Sequence, residues 1–288
     1  MKIAFTGDNH VQFIDDGGIV LKAMLSRCLE DKPDVFCVLG DMGEGMKSIG
    51  GQDHRYDILL GTITPTLFVM GNHDLYRNSS KKATPDMALQ GNATFLFNKG
   101  ILMEKSWTDE ETIFHRDDCV FVGTLGFCDF LYPGLKDRGW YSDVANCRTI
   151  DTDYINLAHW NYWTDRLNNA FYRRLDKAVA TDPSHVIVFS HYPHFPTHSQ
   201  ADPSDPVWPY FYNHMLGQNI LKVAKDHPEI TFWSLAAHSH EYCRGEWGME
   251  AENLYTYGLK TDYYSEDYVC FDTNEDPFGD RSSQITGA

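Results

Sequence analysis

The sequence lacks the features that mark secreted, membrane-spanning and disulfide-stabilised proteins. Its seven cysteines are odd in number and show no CxxC spacing, which favours buried, reduced thiols. No apolar run approaches the roughly 20 residues that cross a bilayer. A polar cluster follows the opening MKIAFTG so closely that we expect no cleavable signal peptide. We therefore predict a cytoplasmic protein without a membrane partner.

Basic residues are also in short supply. Lysine and arginine number 24 against 41 aspartates and glutamates, which gives a net charge of −17. Broad adhesion to nucleic acid needs cationic side chains that neutralise phosphates, so this charge disfavours it. A phosphate-bearing substrate, nucleic acid included, remains compatible with the charge, because bound metal cations reverse the local potential. The sequence leaves the oligomeric state open.

Apolar runs that alternate with helical periodicity indicate the fold class. Buried strands are predicted at residues 2–6, 34–39 and 65–70. An amphipathic helix over 20–29 separates the first two of them. Such alternation builds an α/β fold with a mainly parallel sheet and helices on its faces. A second sheet, packed against the first, is predicted from shorter runs at 94–97, 100–104, 112–115 and 119–124.

The second half of the chain continues the same alternation. Helices are predicted over residues 163–179 and 209–225, and strands at 185–190, 230–235, 253–257 and 268–271. Two stretches without regular pattern, 126–157 and 192–208, are predicted to be loops that set substrate specificity. We predict one domain over 1–271 and a poorly ordered polar tail over 272–288.

Five polar clusters follow the ends of predicted strands. They are Asp8-Asn9-His10, Gly40-Asp41, Gly71-Asn72-His73-Asp74, His191 and His238-Ser239-His240. Ligands collect at the carboxyl ends of parallel strands, so we expect these side chains to converge. Carboxylate, amide and imidazole groups hold a pair of transition-metal ions with an open face for substrate. Any one cluster alone fits a turn cap or a surface histidine, whereas five in matching positions favour a two-metal hydrolase.

Residue type within the clusters suggests a division of roles. Asp41 has two carboxylate oxygens and is therefore suited to bridging two ions. Asn72 offers an amide oxygen to a metal while its NH2 group donates to a phosphate oxygen. His73 beside Asp74 fits a general acid that a neighbouring carboxylate orients and keeps protonated, and an ordinary surface ion pair is the alternative.

The order of the clusters resembles that of a known superfamily. The set GDNH, GDMG, GNHD, SHYPH and AHSH is similar to the D-x-H, G-D, G-N-H-D/E, H and G-H-x-H pattern of the calcineurin-like metallophosphoesterases. The resemblance implies a two-sheet α/β/β/α sandwich with a dinuclear metal site at the strand ends. One metal would take Asp8, His10, Asp41 and His240, and the other Asp41, Asn72, His191 and His238. A metal-bridging hydroxide would attack phosphorus, and His73, oriented by Asp74, would protonate the leaving oxygen.

Departures from the family pattern bear on the branch within it. Met42-Gly43-Glu44-Gly45 stands where the protein Ser/Thr phosphatases carry an Asp-Arg pair, which weakens that alternative. Ala237 replaces a usual glycine, with little expected consequence. The stretch His191-Tyr192-Pro193 is similar to one in the cyclic-nucleotide phosphodiesterases, although other branches share it. We predict a phosphodiesterase or phosphomonoesterase of small molecules or nucleotides, with Mn, Fe, Zn or Ni as candidate metals.

Rival functions and weaker site candidates remain open at this level. A nuclease of the same superfamily would usually need a capping or DNA-binding domain, for which this acidic chain has little room. A non-catalytic interaction module would typically have lost metal ligands, and none is missing here. A hydrolase of non-phosphate substrates is the third rival. His54, His194 and His198 lie in loops near the clusters and are candidate substrate contacts.

Overall fold

The described part of the chain divides into eight ranges. The computed structural model describes residues 1–10, 17–41, 65–75, 100–104, 108–129, 157–200, 211–261 and 268–278. The strand predicted at 94–97, most of the specificity loop predicted at 126–157, and residues 201–208 of the other predicted loop lie outside these ranges. Among the described residues, no helix combines the length and the apolar character of a bilayer-spanning segment.

The first sheet draws on both ends of the chain. Its strands are β1 (Lys2–Thr6), β2 (Val35–Val38), β3 (Thr66–Phe68), β4 (Ile101–Leu102) and β11 (Val269–Asp272). Their order among the described residues is β11-β1-β2-β3-β4. The strands β1 to β4 run parallel, and β11 pairs antiparallel with β1. The carboxyl ends of β1, β2 and β3 therefore meet at one edge, where the first three polar clusters begin.

The second sheet has six strands in the described part of the chain. They are β5 (Phe114–Arg116), β6 (Cys119–Thr124), β7 (His185–Ser190), β8 (Thr231–Ala236), β9 (Trp247–Ala251) and β10 (Leu254–Gly258). Their order is β5-β6-β7-β8-β10-β9, with β6, β7, β8 and β10 parallel and the outer two antiparallel. The carboxyl ends of β7 and β8, which precede the late histidines, consequently share one edge as well.

Side-chain alternation along the strands builds two cores. In β1, Ile3 and Phe5 point into the core between the sheets, and Phe121 of β6 meets them from the other side. Val120, one residue earlier in β6, points the opposite way and packs with Phe171 in a second core beneath the helices. Both faces of the second sheet are therefore covered, which explains why β6, β7 and β8 are near-continuous apolar runs.

Helices cover the outer faces of both sheets. The helices are α1 (Gly17–Asp31), α2 (Asn72–Leu75), α3 (Leu157–Val179) and α4 (His214–Asp226), with short 3-10 turns at Pro196–His198 and His240–Tyr242. The Thr6 hydroxyl donates to Met24 Sδ at 3.4 Å, which joins α1 to the first sheet. Leu216 of α4 and Phe171 of α3 pack on the second. The result is the predicted α/β/β/α sandwich.

Several predicted elements need correction. The run at 100–104 was assigned to the second sheet, but β4 pairs with β3 at the edge of the first. The helix predicted from residue 209 begins at His214, because the Asn213 side chain accepts a hydrogen bond from Leu216 N at 2.9 Å and caps it there. Strand β9 was not predicted, since the sequence WGMEA has low strand propensity and only pairing with β10 fixes it.

Residues 272 and 273, which we predicted to open a poorly ordered tail, are tied to the start of the chain. The amino group of Met1 donates to Asp272 Oδ1 and to Thr273 Oγ1, each at 3.0 Å. Thr273 N in turn donates to Met1 O at 2.9 Å. Asp272 and Thr273 therefore belong to the folded edge of the first sheet, because the chain start holds them there. Residues 279–288 lie outside the described ranges, and the division into domain and tail stays a prediction.

A buried ion pair joins the first sheet to α3 and the second sheet. Arg174, on α3, is fully buried and places Nη2 at 2.6 Å from Glu104 Oε1. Its Nη1 donates to Met103 O at 3.1 Å. Glu104 also accepts from Leu125 N at 2.8 Å and from the Thr124 hydroxyl at 3.0 Å. Both charged groups form hydrogen bonds. Removing one partner would therefore leave the charge of the other buried without its counter-ion.

We predict that Arg174→Met lowers the free energy of unfolding by about 3–5 kcal/mol, because Glu104 is left buried without its cation. The neighbouring Arg173 is a matched control, since its Nε lies 2.7 Å from Glu110 Oε1 but both side chains are more than two-fifths exposed. Arg173→Met should change the free energy of unfolding by no more than about 1 kcal/mol. Urea denaturation of both variants measures the difference, and equal losses would contradict the role of the pair.

The sign of the pH dependence provides a further check on the same variant. Burial raises the pKa of Glu104, against the opposing charge of Arg174. Removing Arg174 raises that pKa further. When the pKa of a carboxyl is higher in the folded protein than in the unfolded chain, the folded protein loses stability as the pH rises toward the folded pKa. The deficit of Arg174→Met relative to the parent protein should therefore be larger at neutral than at acidic pH.

Candidate metal centre

The five polar clusters converge at one edge of the two sheets. Asp8 follows β1, Asp41 follows β2 and Asn72 opens α2 just after β3. His191 follows β7, and the pair of late histidines follows β8. Residues that are 230 positions apart in sequence are in direct contact, because the backbone N of His238 donates to Asp8 Oδ2 at 2.8 Å.

The first group of potential ligands consists of Asp8, His10 and His240. Their ligand atoms lie within 4.8 Å of one another. The rings of His10 and His240 stack, with centroids 5.1 Å apart and planes inclined by 22°. One carboxylate and two imidazoles in this arrangement form three of the four ligands predicted for the first metal.

The second group consists of Asp41, His191 and His238, with ligand atoms again within 4.8 Å of one another. His191 Nε2 lies 2.8 Å from Asn72 Oδ1, 3.1 Å from His238 Nδ1 and 3.3 Å from Asp41 Oδ2. These four atoms belong to the four residues predicted to hold the second metal. The structure therefore brings that whole set together.

The carboxylate of Asp41 faces both groups. Its Oδ2 lies 3.6 Å from His10 Nε2 on one side and 3.3 Å from His191 Nε2 on the other. Its Oδ1 accepts a hydrogen bond from His73 N at 2.8 Å, which fixes the rotation of the carboxylate. Asp41 thus occupies the position that a bridging ligand requires.

Hydrogen bonds on the side of the ligands away from the centre leave one potential ligand atom of each residue facing the other ligands. His191 Nδ1 lies 2.8 Å from Leu39 O, so that nitrogen carries a proton and Nε2 is the nitrogen that faces the other ligands. Asp8 Oδ2 accepts from His238 N, whereas Asp8 Oδ1 is buried and has no hydrogen-bond partner among the described residues. Buried acceptors that face one another are costly unless a cation lies between them. The donor set therefore fits a pair of metal ions.

Burial tunes the protonation of the imidazoles. It lowers the pKa of His10 to about 4 and holds the pKa of His238 well below its usual range, so both are neutral at pH 7. Burial would lower the pKa of His191 too, but the Asp41 carboxylate outweighs it and raises that pKa to about 9. Metal ligation requires neutral imidazole, so binding at His191 would release a proton.

Backbone strain is concentrated in the same residues. Five potential ligands have positive φ angles: Asp8 (52°), His10 (39°), Asp41 (51°), His238 (70°) and His240 (46°). Side-chain-bearing residues rarely adopt this left-handed region, and such strain clusters at binding and catalytic sites. The turns after β1, β2 and β8 therefore aim ligands in directions that an ordinary strand extension would not provide.

Two glycines of the motifs are required by close approach. Gly40 has φ +90°, and a Cβ on it would meet Gly71 N at 2.5 Å and His191 Nδ1 at 2.9 Å. A Cβ on Gly71 would overlap the Asp41 carboxylate and its backbone nitrogen. The glycines before Asp41 and Asn72 thus allow the turns after β2 and β3 to touch.

The structure gives Asp74 a role that sequence reasoning missed. Its Oδ2 accepts from Asp41 N and from Gly71 N, each at 2.8 Å. The buried Asp74 carboxylate therefore ties together the turns that carry Asp41 and Asn72. The half-buried His73 ring lies edge-on to His10, with centroids 4.6 Å apart, and its ligand atom groups with those of His10 and Asp41. Orientation of His73 by Asp74 stays a prediction.

The substrate contacts of His194 and His198 stay a prediction, and the contacts that the structure shows for both residues are structural. Both side chains are buried, and His194 bridges the Ser190 hydroxyl at 3.0 Å and the Ser234 hydroxyl at 2.6 Å. His198 Nε2 lies 3.1 Å from Ser234 O. Burial lowers the pKa of His194 to about 3, so it is a neutral structural residue between β7 and β8. His54 lies outside the described residues.

One polar contact at the centre had no sequence signal. The Thr261 hydroxyl lies 3.3 Å from Asp8 Oδ2 and 3.1 Å from His240 Nδ1. Thr261 follows β10 and belongs to none of the five clusters. A sequence search for histidines, carboxylates and glycine turns does not select a lone threonine, and only the position of β10 beside β8 reveals it.

Comparison with known proteins agrees with this geometry. The family model described as calcineurin-like phosphoesterase matches residues 1–242, and the chain belongs to that family. No curated protein matches the sequence. The fold is similar to phosphopantetheinyl hydrolase from Mycobacterium tuberculosis, with TM-score 0.69 and 15% identity over 96% of this chain and 98% of that one. A dimetal phosphatase from Danio rerio matches with TM-score 0.54 and 15% identity, over 94% and 91% of the two chains.

We predict that Asp74→Ala lowers metal occupancy, because the buried amides of Asp41 and Gly71 lose their acceptor at a cost of about 1–3 kcal/mol each. Asp74→Asn keeps one acceptor oxygen and should retain an intermediate share. Elemental analysis after equilibration with Mn²⁺ and dialysis measures both. If Asp74 acted only through His73, Asp74→Ala would bind as much metal as the parent protein.

Proposed function

We propose that this protein is a metal-dependent phosphoric ester hydrolase with a dinuclear centre. Asp8, His10, Asp41 and His240 would hold one ion, and Asp41, Asn72, His191 and His238 the other. The observation that carries the proposal is the shared Asp41 carboxylate, whose Oδ2 faces an imidazole of each ligand group. Family membership supports the same class of activity.

The chemistry divides between the ions and the residues around them. Bound metal ions supply Lewis acidity toward the phosphoryl oxygens and activate water as a nucleophile. Asn72 presents its amide oxygen to the second ligand group, and its NH2 group is suited to donate to a phosphate oxygen. The ligand atom of His73 lies within 4.8 Å of those of His10 and Asp41, which supports a role for His73 as the donor of a proton to the leaving oxygen.

The substrate proposal is a small-molecule or nucleotide phosphate ester, either monoester or diester. The net charge of −17 favours neither a nucleic-acid partner nor a polyanionic surface, so nuclease activity is the second outcome to test. The phosphopantetheinyl hydrolase that shares this fold over nearly its full length adds a phosphopantetheinyl ester to the panel. Mixed nitrogen and oxygen ligands suit Mn, Fe, Zn or Ni. A cytoplasmic location and the absence of a membrane partner stay predictions.

We predict that Asp41→Ala and Asn72→Ala abolish metal-dependent hydrolysis of an aryl phosphate ester, because each removes a ligand that the other residues cannot replace. Asp117→Ala is a matched control, since Asp117 also has a left-handed φ of 51° but is exposed and precedes β6, at the opposite end of the second sheet. Turnover and metal content are measured together. Parent-like turnover in both ligand variants would refute the proposal.

We predict that His73→Ala slows esters with poor leaving groups by about 10²–10⁴-fold, because only those need a proton in the transition state. Activated nitrophenyl esters should lose much less. The exposed His115 provides the control variant, His115→Ala. Equal losses across a series of leaving groups would remove His73 from the role of general acid while leaving the metal centre intact.

A further inference from the structure

We propose that Thr261 is a positioning residue for the first metal. Its hydroxyl selects which ring nitrogen of His240 and which carboxylate oxygen of Asp8 are available to the metal. This inference rests on the proposed function, because it assigns a role toward a metal that Asp8, His10 and His240 would hold. It adds a residue that lies outside all five motif clusters.

The fold delivers Thr261 to the centre by way of β10. That strand runs parallel to β8, so its carboxyl end lies beside the turn that carries His238 and His240. The pairing continues one residue past the strand, where Leu259 N donates to Ala236 O at 2.8 Å. Thr261 follows two residues later and is 2% exposed. Its hydroxyl is therefore shielded from water and directed at the ligands.

The direction of the hydrogen bonds follows from what each atom is able to donate. Asp8 Oδ2 is a carboxylate oxygen and only accepts, so the Thr261 hydroxyl donates to it at 3.3 Å. That hydroxyl has no second proton. The contact of 3.1 Å to His240 Nδ1 is then made by a Thr261 lone pair, with Nδ1 as the donor. A neutral His240 with its proton on Nδ1 has its lone pair on Nε2.

The same hydroxyl contributes to the orientation of Asp8. Asp8 Oδ2 accepts both from Thr261 and from His238 N, the latter at 2.8 Å. Asp8 Oδ1 is left buried without a hydrogen-bond partner in the described part of the chain. One oxygen is thus occupied by the protein, and the other is available to a cation. Thr261 therefore acts on two of the three ligands in the first group.

The Thr261 contact distinguishes the two ring nitrogens of His240, which stacking on His10 does not do. The ring stacks on His10, with centroids 5.1 Å apart, and stacking does not distinguish the two nitrogens. Without the hydroxyl, a ring flip or the other tautomer would present an N–H group to the metal. Outer contacts of this kind typically change metal affinity by about 10–100-fold.

Three substitutions separate the hydroxyl from its surroundings. Thr261→Val keeps the side-chain shape and removes the hydroxyl, whereas Thr261→Ser keeps the hydroxyl. Thr256→Val is the matched control, because Thr256 is also buried and its hydroxyl donates to Thr197 at 2.7 Å, within β10 and away from the ligands. Thermal unfolding of the metal-free proteins reports any general loss of stability.

The experiment measures binding of Mn²⁺ alone by competition with a chromophoric chelator. We expect the parent protein, Thr261→Ser and Thr256→Val to bind two ions with similar affinities. Thr261→Val should bind one ion normally and the other about 10–100-fold more weakly. The imidazole ¹H–¹⁵N spectrum of the metal-free protein, with His240 assigned from His240→Gln, should lose its Nδ1–H population in Thr261→Val.

Failure of this inference and failure of the proposed function give different results. If the parent protein bound no Mn²⁺, the proposed function would fall. If the parent bound two ions and Thr261→Val did the same with unchanged affinity and tautomer, only the role of Thr261 would be overturned. Equal weakening in Thr261→Ser or in Thr256→Val would also overturn it, because the effect would then come from packing rather than from the hydroxyl.

Discussion

The burial of several hydrogen-bond acceptors against one another is the constraint on which the centre depends. Around His191 Nε2, an amide oxygen, a carboxylate oxygen and a second imidazole nitrogen all approach within 3.3 Å. Lone pairs packed this closely without water repel one another unless protons or cations are shared among them. The fold holds them there with strained turns and close glycine contacts. A pair of metal ions would resolve this repulsion and would at the same time supply the chemistry of the proposed hydrolase.

The acceptors stay in place because hydrogen bonds on the side away from the centre hold the ligand residues and their turns. Leu39 O accepts a hydrogen bond from His191 Nδ1, and the Asp74 carboxylate accepts hydrogen bonds from the backbone amides of Asp41 and Gly71. On the far side, His238 N and the Thr261 hydroxyl occupy one oxygen of Asp8. Each of these contacts joins elements that are distant in sequence. The precision of the centre therefore comes from the packing of the two sheets, which the core between them and the buried Glu104–Arg174 pair hold together.

Histidine illustrates how context decides the role of a residue. His191 and His194 are three residues apart in the same segment after β7. His191 turns toward Asp41 and the other ligands, whereas His194 turns back between Ser190 and Ser234. Both were reasonable candidates from sequence, because both follow a strand end. The difference lies in which neighbouring strand each side chain meets, and that depends on the order of strands in the sheet.

The sequence by itself determined the fold class, most buried strands and the identities of the proposed metal ligands. Those features follow from local pattern and motif order, since an apolar run predicts a strand and five polar clusters that each follow a strand together predict ligands at the strand ends. Only the tertiary structure decided the sheet to which β4 belongs, the use of Asp74 between two turns, the burial of His198 and the contact of Thr261 with Asp8. These outcomes are contacts between distant segments, and the local pattern of residues carries no information about which distant segment will lie alongside.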